Sequence, residues 1–226
     1  METTAETDTT PGPASAPVAS RAKTLGLKLA LLVAVIIAAL LTAQFALPRL
    51  FAMFGPHSFA GTTFSGDVAA APLDGLLFDD GQPASLSPFE GDVVMIYFGY
   101  TYCPDVCPTT LDTAARAIEG LGDDGEDVHL IMVTVDPERD GLGSLGEYVR
   151  FFNPGFLGAG GEVEAIDRVA SAYGVFYQLD EPAADGSYAV NHTASLFGID
   201  RNGNLAVVWP PTVERDDLRD DLKELL

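Results

Sequence analysis

From Leu29 to Leu47 the chain is apolar except for Thr42 and Gln44. A run of that length and purity is long enough to cross a bilayer as a helix. Arg21, Lys23 and Lys28 precede it, whereas only Arg49 follows closely. By the positive-inside rule this asymmetry predicts a cytoplasmic N-terminus and export of everything after the run. A cleaved signal peptide is the competing reading. It calls for a shorter apolar core and a small-x-small cleavage site just after it. Gln44, Phe45 and Leu47 stand there instead, so the run reads better as an uncleaved single-pass anchor in an inner or plasma membrane. Both readings put the following domain on the periplasmic or extracytoplasmic side.

The organisation expected on these grounds has four parts. Residues 1–28 form a cytoplasmic tail, with Thr, Ala, Pro, Ser and Glu dominating its first twenty positions as in a disordered segment. Residues 29–47 are the transmembrane helix, 48–65 a stalk, and 66–226 one domain of a size that supports its own core. The net charge is −21, and Lys223 is the only lysine after Lys28. So acidic a surface excludes nucleic acid as a partner and repels anionic headgroups. It would suit a cationic partner or a saline medium, although solubility alone accounts for it.

Within the domain, Val93–Phe98 is short, β-branched and aromatic, the pattern of a strand buried on both faces. Val128–Val135 repeats it. Leu76–Phe78 followed by Asp79-Asp80-Gly81-Gln82 reads as strand and turn. Thr109–Leu121, Leu145–Phe152 and Glu162–Tyr173 have helical spacing. Ala194–Ile199 and Leu205–Trp209 read as strands joined by Asp200-Arg201-Asn202-Gly203, whose Asn-Gly favours a tight hairpin. Thr212 is placed to cap a last helix carrying Val213, Leu218, Leu222 and Leu225 on one face. The order implies an α/β domain around a central mixed sheet.

The two cysteines, Cys103 and Cys107, lie in Gly99-Tyr100-Thr101-Tyr102-Cys103-Pro104-Asp105-Val106-Cys107-Pro108, between a buried strand and a helix. Open α/β sheets favour ligand sites at that edge. A bond between cysteines so close in sequence removes little chain entropy, so the pair points to function rather than to stability. Thiolates near a helix N-terminus bind soft metals or attack disulfides. Two sulfurs do not close a structural zinc site, and a third ligand must come from elsewhere. The imidazole donors are His57, His129 and His192. His57, beside Pro56 in the stalk, is expected to be exposed. His129, inside an apolar strand, is expected to be packed or at an edge. His192 precedes a strand and could reach the cysteine loop, though taken alone it would more often be structural.

The run Tyr97–Pro108 closely resembles the signature of the SCO/SenC proteins, named for synthesis of cytochrome c oxidase. Val135-Asp136-Pro137-Glu138-Arg139-Asp140, Ala172-Tyr173-Gly174-Val175 and Val190-Asn191-His192-Thr193-Ala194-Ser195 resemble further motifs of that family, in the same order. The resemblance implies a thioredoxin-like fold with an inserted hairpin. It implies one copper ion, Cu(I) or Cu(II), held by Cys103, Cys107 and His192, and a chaperone serving the binuclear copper centre of cytochrome c oxidase subunit II. An upstream copper donor and a thiol reductant are the further partners implied. The alternative is a thiol-disulfide oxidoreductase cycling Cys103 and Cys107 through a redox-active disulfide. A peroxidase-like or redox-sensing role has no specific support beyond the fold. The sequence has Asn191 where many members of the family have Asp, so Asn191 is expected to tune the imidazole. Asp136 is a candidate supporting residue near the cysteine loop, with a strand-end turn at Pro137 as the equal alternative. Asp105 is expected to face solvent.

Overall fold

The computed structural model describes residues 19–54 and 57–226. The expected tail, residues 1–18, lies outside them. The chain divides into two units, one ending at position 56 and the other starting at 57, and each is described in its own right.

The first unit is helix α1, Ala19–Phe54. It extends beyond the apolar run at both ends, because the flanking Ala, Leu, Lys and Arg are themselves good helix formers. Within it Leu27–Leu47 is the one segment among the described residues long and apolar enough to cross a membrane. At 1.5 Å per residue its 21 residues rise about 31 Å, the thickness of a hydrocarbon core. The Thr42 hydroxyl donates to the Ala38 carbonyl one turn back, so this polar group needs no water.

The second unit runs β1 (Thr62–Thr63), β2 (Leu77–Phe78), β3 (Val93–Gly99), α2 (Val106–Glu119), β4 (Val128–Thr134), α3 (Leu142–Phe152), β5 (Leu157–Gly160), α4 (Val163–Ala172), β6 (Tyr177–Leu179), β7 (Val190–His192), β8 (Leu196–Ile199), β9 (Leu205–Trp209) and α5 (Arg215–Leu225). Seven strands form one mixed sheet in the order β1-β9-β8-β3-β4-β5-β2. The pairs β3–β4 and β4–β5 are parallel, and β3–β8 is antiparallel. Every residue of β3 is buried, which is why its sequence is continuously apolar rather than alternating. Successive side chains of β3 serve opposite faces. Tyr97 meets Thr110 and Cys107 of α2, while Phe98 packs on Tyr173, just past the end of α4. Helix α2 also contacts α3 and α5.

Between α4 and β8 the chain makes the expected inserted hairpin. Strands β6 and β7 pair antiparallel in a small sheet of their own, with Tyr177 opposite His192. The architecture is thioredoxin-like.

Three local readings are corrected. The final helix starts at Arg215 with Glu214 at its N-cap position, and Thr212 does not cap it. Thr212 lies in a turn closed from Val213 N–H to the Pro210 carbonyl. His57 is exposed as expected, but it is not part of a free stalk. Its Nε2 lies 2.6 Å from Oδ1 of the buried Asp221, whose Oδ2 accepts from Ala60 N–H at 2.9 Å and Trp209 Nε1–H at 2.6 Å. The segment read as stalk is therefore docked on its own domain from residue 57 onward. His192 belongs to a strand of the inserted hairpin rather than to the loop before β8.

Candidate metal centre

The carboxyl end of β3 lies mid-sheet, between a parallel and an antiparallel neighbour, where the chain leaves room for a ligand. From Gly99 the chain turns through Tyr100–Cys103 and enters α2 at Val106. Cys107 thus falls in the first turn of the helix, where backbone N–H groups have no intrahelical acceptor. The Cys107 N–H donates to Cys103 Sγ at 3.3 Å. This contact presents the positive end of the helix to the sulfur. Both cysteines are free thiols and both are buried. Asp105, between them, is exposed as expected.

Gly99 is required here by space. A Cβ at this position would stand 3.0 Å from Cys107 Sγ and 2.7 Å from the Tyr97 ring. Asp140 ties down the rest of the cysteine loop, accepting from the Thr101 N–H at 3.0 Å, the Thr101 hydroxyl at 2.5 Å and the Thr134 hydroxyl at 2.8 Å. Burial raises its carboxyl pKa, and the three hydrogen bonds oppose that shift.

The hairpin delivers the third donor. His192 Nε2 lies 3.4 Å from Cys107 Sγ. Its Nδ1 faces the Thr193 carbonyl at 3.2 Å. A carbonyl accepts only, so Nδ1 carries the proton and Nε2 presents its lone pair to the sulfurs. Burial holds the imidazole below its ordinary pKa and so keeps it neutral. Tyr97 and Tyr100 meet the ring edge to face, at centroid distances of 6.2 and 5.8 Å. One donor atom from each of Cys103, Cys107 and His192 lies within 4.8 Å of the other two. A depression of about 340 Å³, lined by Cys103, Pro104, Val106, Asn191 and His192 among others, opens beside them.

The surroundings favour the neutral Cys107 thiol, so a cation bound there must displace its proton. Burial pushes the Cys107 thiol up to about 12, against the pull of the Tyr97 hydroxyl and the Tyr100 backbone toward thiolate. The Tyr148 hydroxyl is buried with no hydrogen-bond partner, and the Tyr97 hydroxyl, equally buried, lies beside Cys107 and Thr110 without a well-formed hydrogen bond to either. Burial holds both well above the tyrosine range, with the nearby cysteines adding to the effect. A buried donor without an acceptor costs about 1–3 kcal/mol. A thiolate at Cys107, neutralised by a cation, would give the Tyr97 hydroxyl an acceptor. Two thiolates and one imidazole form a soft donor set suited to Cu(I), with the nitrogen extending it to Cu(II) or zinc.

The other residues singled out in the sequence go elsewhere. His129 Nε2 pairs with Asp92 Oδ2 at 2.8 Å, near the opposite end of the sheet. The Asn191 amide donates to Asp180 Oδ1 at 2.7 Å, and it is Thr193 that orients the imidazole. Asp136 is fully buried. It binds Arg139 and accepts from the Tyr188 hydroxyl at 2.8 Å, supporting the hairpin rather than the sulfurs. Asp140, Tyr148 and Arg139 escaped sequence reasoning as site residues. For Asp140 and Arg139 the signal was present in the Val135–Asp140 motif, whereas Tyr148 had none.

Fold and site together define a thioredoxin-like domain in which a helix-start dithiol is joined by an imidazole from an inserted hairpin. The SCO1/SenC family profile matches residues 75–226. The chain belongs to the SCO1/SenC family. It is 33% identical to Protein SCO1 homolog 1, mitochondrial, of Arabidopsis thaliana over 157 residues, 69% of this chain and 47% of that one. The chain thus spans about half the length of that curated relative. Among solved structures it resembles apo Sco1 of Thermus thermophilus, with a TM-score of 0.66 and 37% identity over 76% of this chain and 99% of that one. It also resembles ScoI of Bradyrhizobium japonicum with copper bound, with a TM-score of 0.61 and 31% identity over 72% and 99%.

Proposed function

We propose that this protein is a membrane-anchored copper metallochaperone. It carries one copper ion as cargo on Cys103, Cys107 and His192 and assists assembly of the binuclear copper centre of cytochrome c oxidase subunit II. The observation that carries this reading is the convergence of the three donor atoms within 4.8 Å, drawn from segments far apart in the chain. The donor set alone would also accept zinc. Copper in the Bradyrhizobium relative and the softness of the paired thiolates favour copper. Release would proceed by exchange, each donor being displaced in turn by a thiolate or imidazole of the receiving site. The depression beside Cys103 and His192 gives such a ligand its approach. The domain works on the extracytoplasmic side, held by residues 29–47, with the N-terminus in the cytoplasm. Thiols there tend to oxidise, so a reductant acts before an upstream donor loads the copper.

A second reading is favoured by the free dithiol itself. Cys103 and Cys107 are close enough to act as a thiol-disulfide oxidoreductase on the same subunit, with no need of His192. The two are separated by mixing copper-loaded protein with the reduced, metal-free copper domain of subunit II. Copper moving one for one supports delivery. Copper that stays bound, while the metal-free dithiol reduces the oxidised domain, supports the oxidoreductase.

A further inference from the structure

The two segments that carry the proposed ligands are joined through one guanidinium. Arg139, in the turn after β4, donates from Nε to the buried carboxylate of Asp136 and from Nη1 to the Tyr188 carbonyl at 2.9 Å. The guanidinium lies over the Tyr188 ring at 3.5 Å. Tyr188 is in the hairpin connection just before β7, and its hydroxyl donates to the other oxygen of Asp136 at 2.8 Å. The same guanidinium lies 5.0 Å from the ring centre of Tyr102 and 5.6 Å from that of Tyr100. Those two residues belong to the cysteine loop. Tyr100 in turn accepts the Val190 N–H at 3.4 Å and meets the His192 ring edge to face.

We infer that Arg139 is a positioning residue for the metal site, a pin that fixes the His192 hairpin against the cysteine loop. The inference rests on the copper reading above. The geometry gives the pin a fixed base, because Asp136 is fully buried and only three positions before Arg139. It also gives the pin two grips: the hairpin through Tyr188, and the cysteine loop through Tyr100 and Tyr102. Although β3 reaches His192 through the Tyr97 ring, strand β7 is three residues long and pairs only with β6 in a two-stranded sheet, so the main-sheet ladder does not hold the hairpin in place. Tertiary contacts such as those of Arg139 must do so. The role calls for a planar fork that donates in two directions while stacking on rings, which lysine does not provide.

The test is a double-mutant cycle between Arg139 and His192, read as Cu(I) affinity by competition with a chromophoric chelator. Arg139→Gln and Arg139→Lys should each weaken Cu(I) binding about 10- to 100-fold, the range for residues that orient a metal ligand. In a His192→Ala background neither should weaken it further, because the residue being positioned is gone. In the metal-free proteins, the nuclear Overhauser contact between the His192 ring and the Cys107 side chain should be lost in both Arg139 variants, while circular dichroism and the number of titratable thiols stay unchanged. Equal copper loss in both backgrounds would make Arg139 a general stabiliser and overturn the inference, as would wild-type affinity in both variants. If His192→Ala itself leaves affinity unchanged, the three-ligand reading fails and the inference goes with it, a result distinct from failure at Arg139 alone.

Discussion

Cys107 Sγ and His192 Nε2 stand 3.4 Å apart although 85 positions separate them in the chain. The sulfur is fixed by the first turn of α2, and the nitrogen is aimed by the Thr193 carbonyl at the other side of the ring. The fold itself brings the donors together, so a soft cation would be bound there with little reorganisation.

The room for that sulfur comes from Gly99. Gly99→Ala would place a methyl group 2.7 Å from the Tyr97 ring, 3.0 Å from Cys107 Sγ and 3.2 Å from the end of Met132. Overpacking of this kind costs about 1–3 kcal/mol. Urea unfolding should show the loss. Copper retention should fall as well, since Cys107 must move to admit the methyl group.

Proton linkage follows from the burial of Cys107. In the folded, metal-free protein its thiol is pushed up to about 12 from an ordinary value of 9.0. The native state therefore holds this proton more tightly than the unfolded chain does. Its contribution to stability is complete below about pH 9 and is lost as the pH climbs through the folded value. Copper must displace the same proton. Apparent Cu(I) affinity should therefore rise about tenfold per pH unit from this thiol across the neutral range. Chelator competition over that range gives the slope, and a flat profile would mean that both ligand thiols are already thiolates.

Asp221 holds the start of the domain rather than the metal site. It collects His57, the Ala60 N–H and the Trp209 indole, and touches none of the three donor atoms. Asp221→Leu would leave the buried Trp209 indole N–H unpaired and release His57 and Ala60, and should destabilise the domain by about 1–3 kcal/mol. Thermal unfolding should show the loss, while copper stoichiometry of the folded fraction stays unchanged.

Much of this was legible in the sequence because it is local. Val93–Phe98 announces a doubly buried strand by composition. Pro108 and the spacing that follows announce the helix that takes in Cys107. The four motifs around Cys103, Asp136, Tyr173 and His192 pointed to family and fold. What stayed hidden depends on distant partners. Strand β5 reads Leu-Gly-Ala-Gly, and two glycines in four residues carry no strand signal; it exists because β4 and β2 pair with it. Strands β1 and β2 are two residues each, too short for any periodicity. His57 read as part of a stalk because its partner, Asp221, lies 164 positions away. Tyr148 looked like an ordinary aromatic of an amphipathic helix, and nothing local reveals that its hydroxyl reaches the neighbourhood of the cysteines.

The central claim, one copper on three donors, is tested most directly by copper stoichiometry of the reduced protein, wild type against His192→Ala. The account predicts one copper per wild-type chain that survives gel filtration. In the variant it predicts a loss of affinity greater than about 100-fold, beyond that of an orienting residue, with both thiols still free to react. Equal copper in the two proteins, or none in either, would contradict it and leave Cys103 and Cys107 as a dithiol with no imidazole partner.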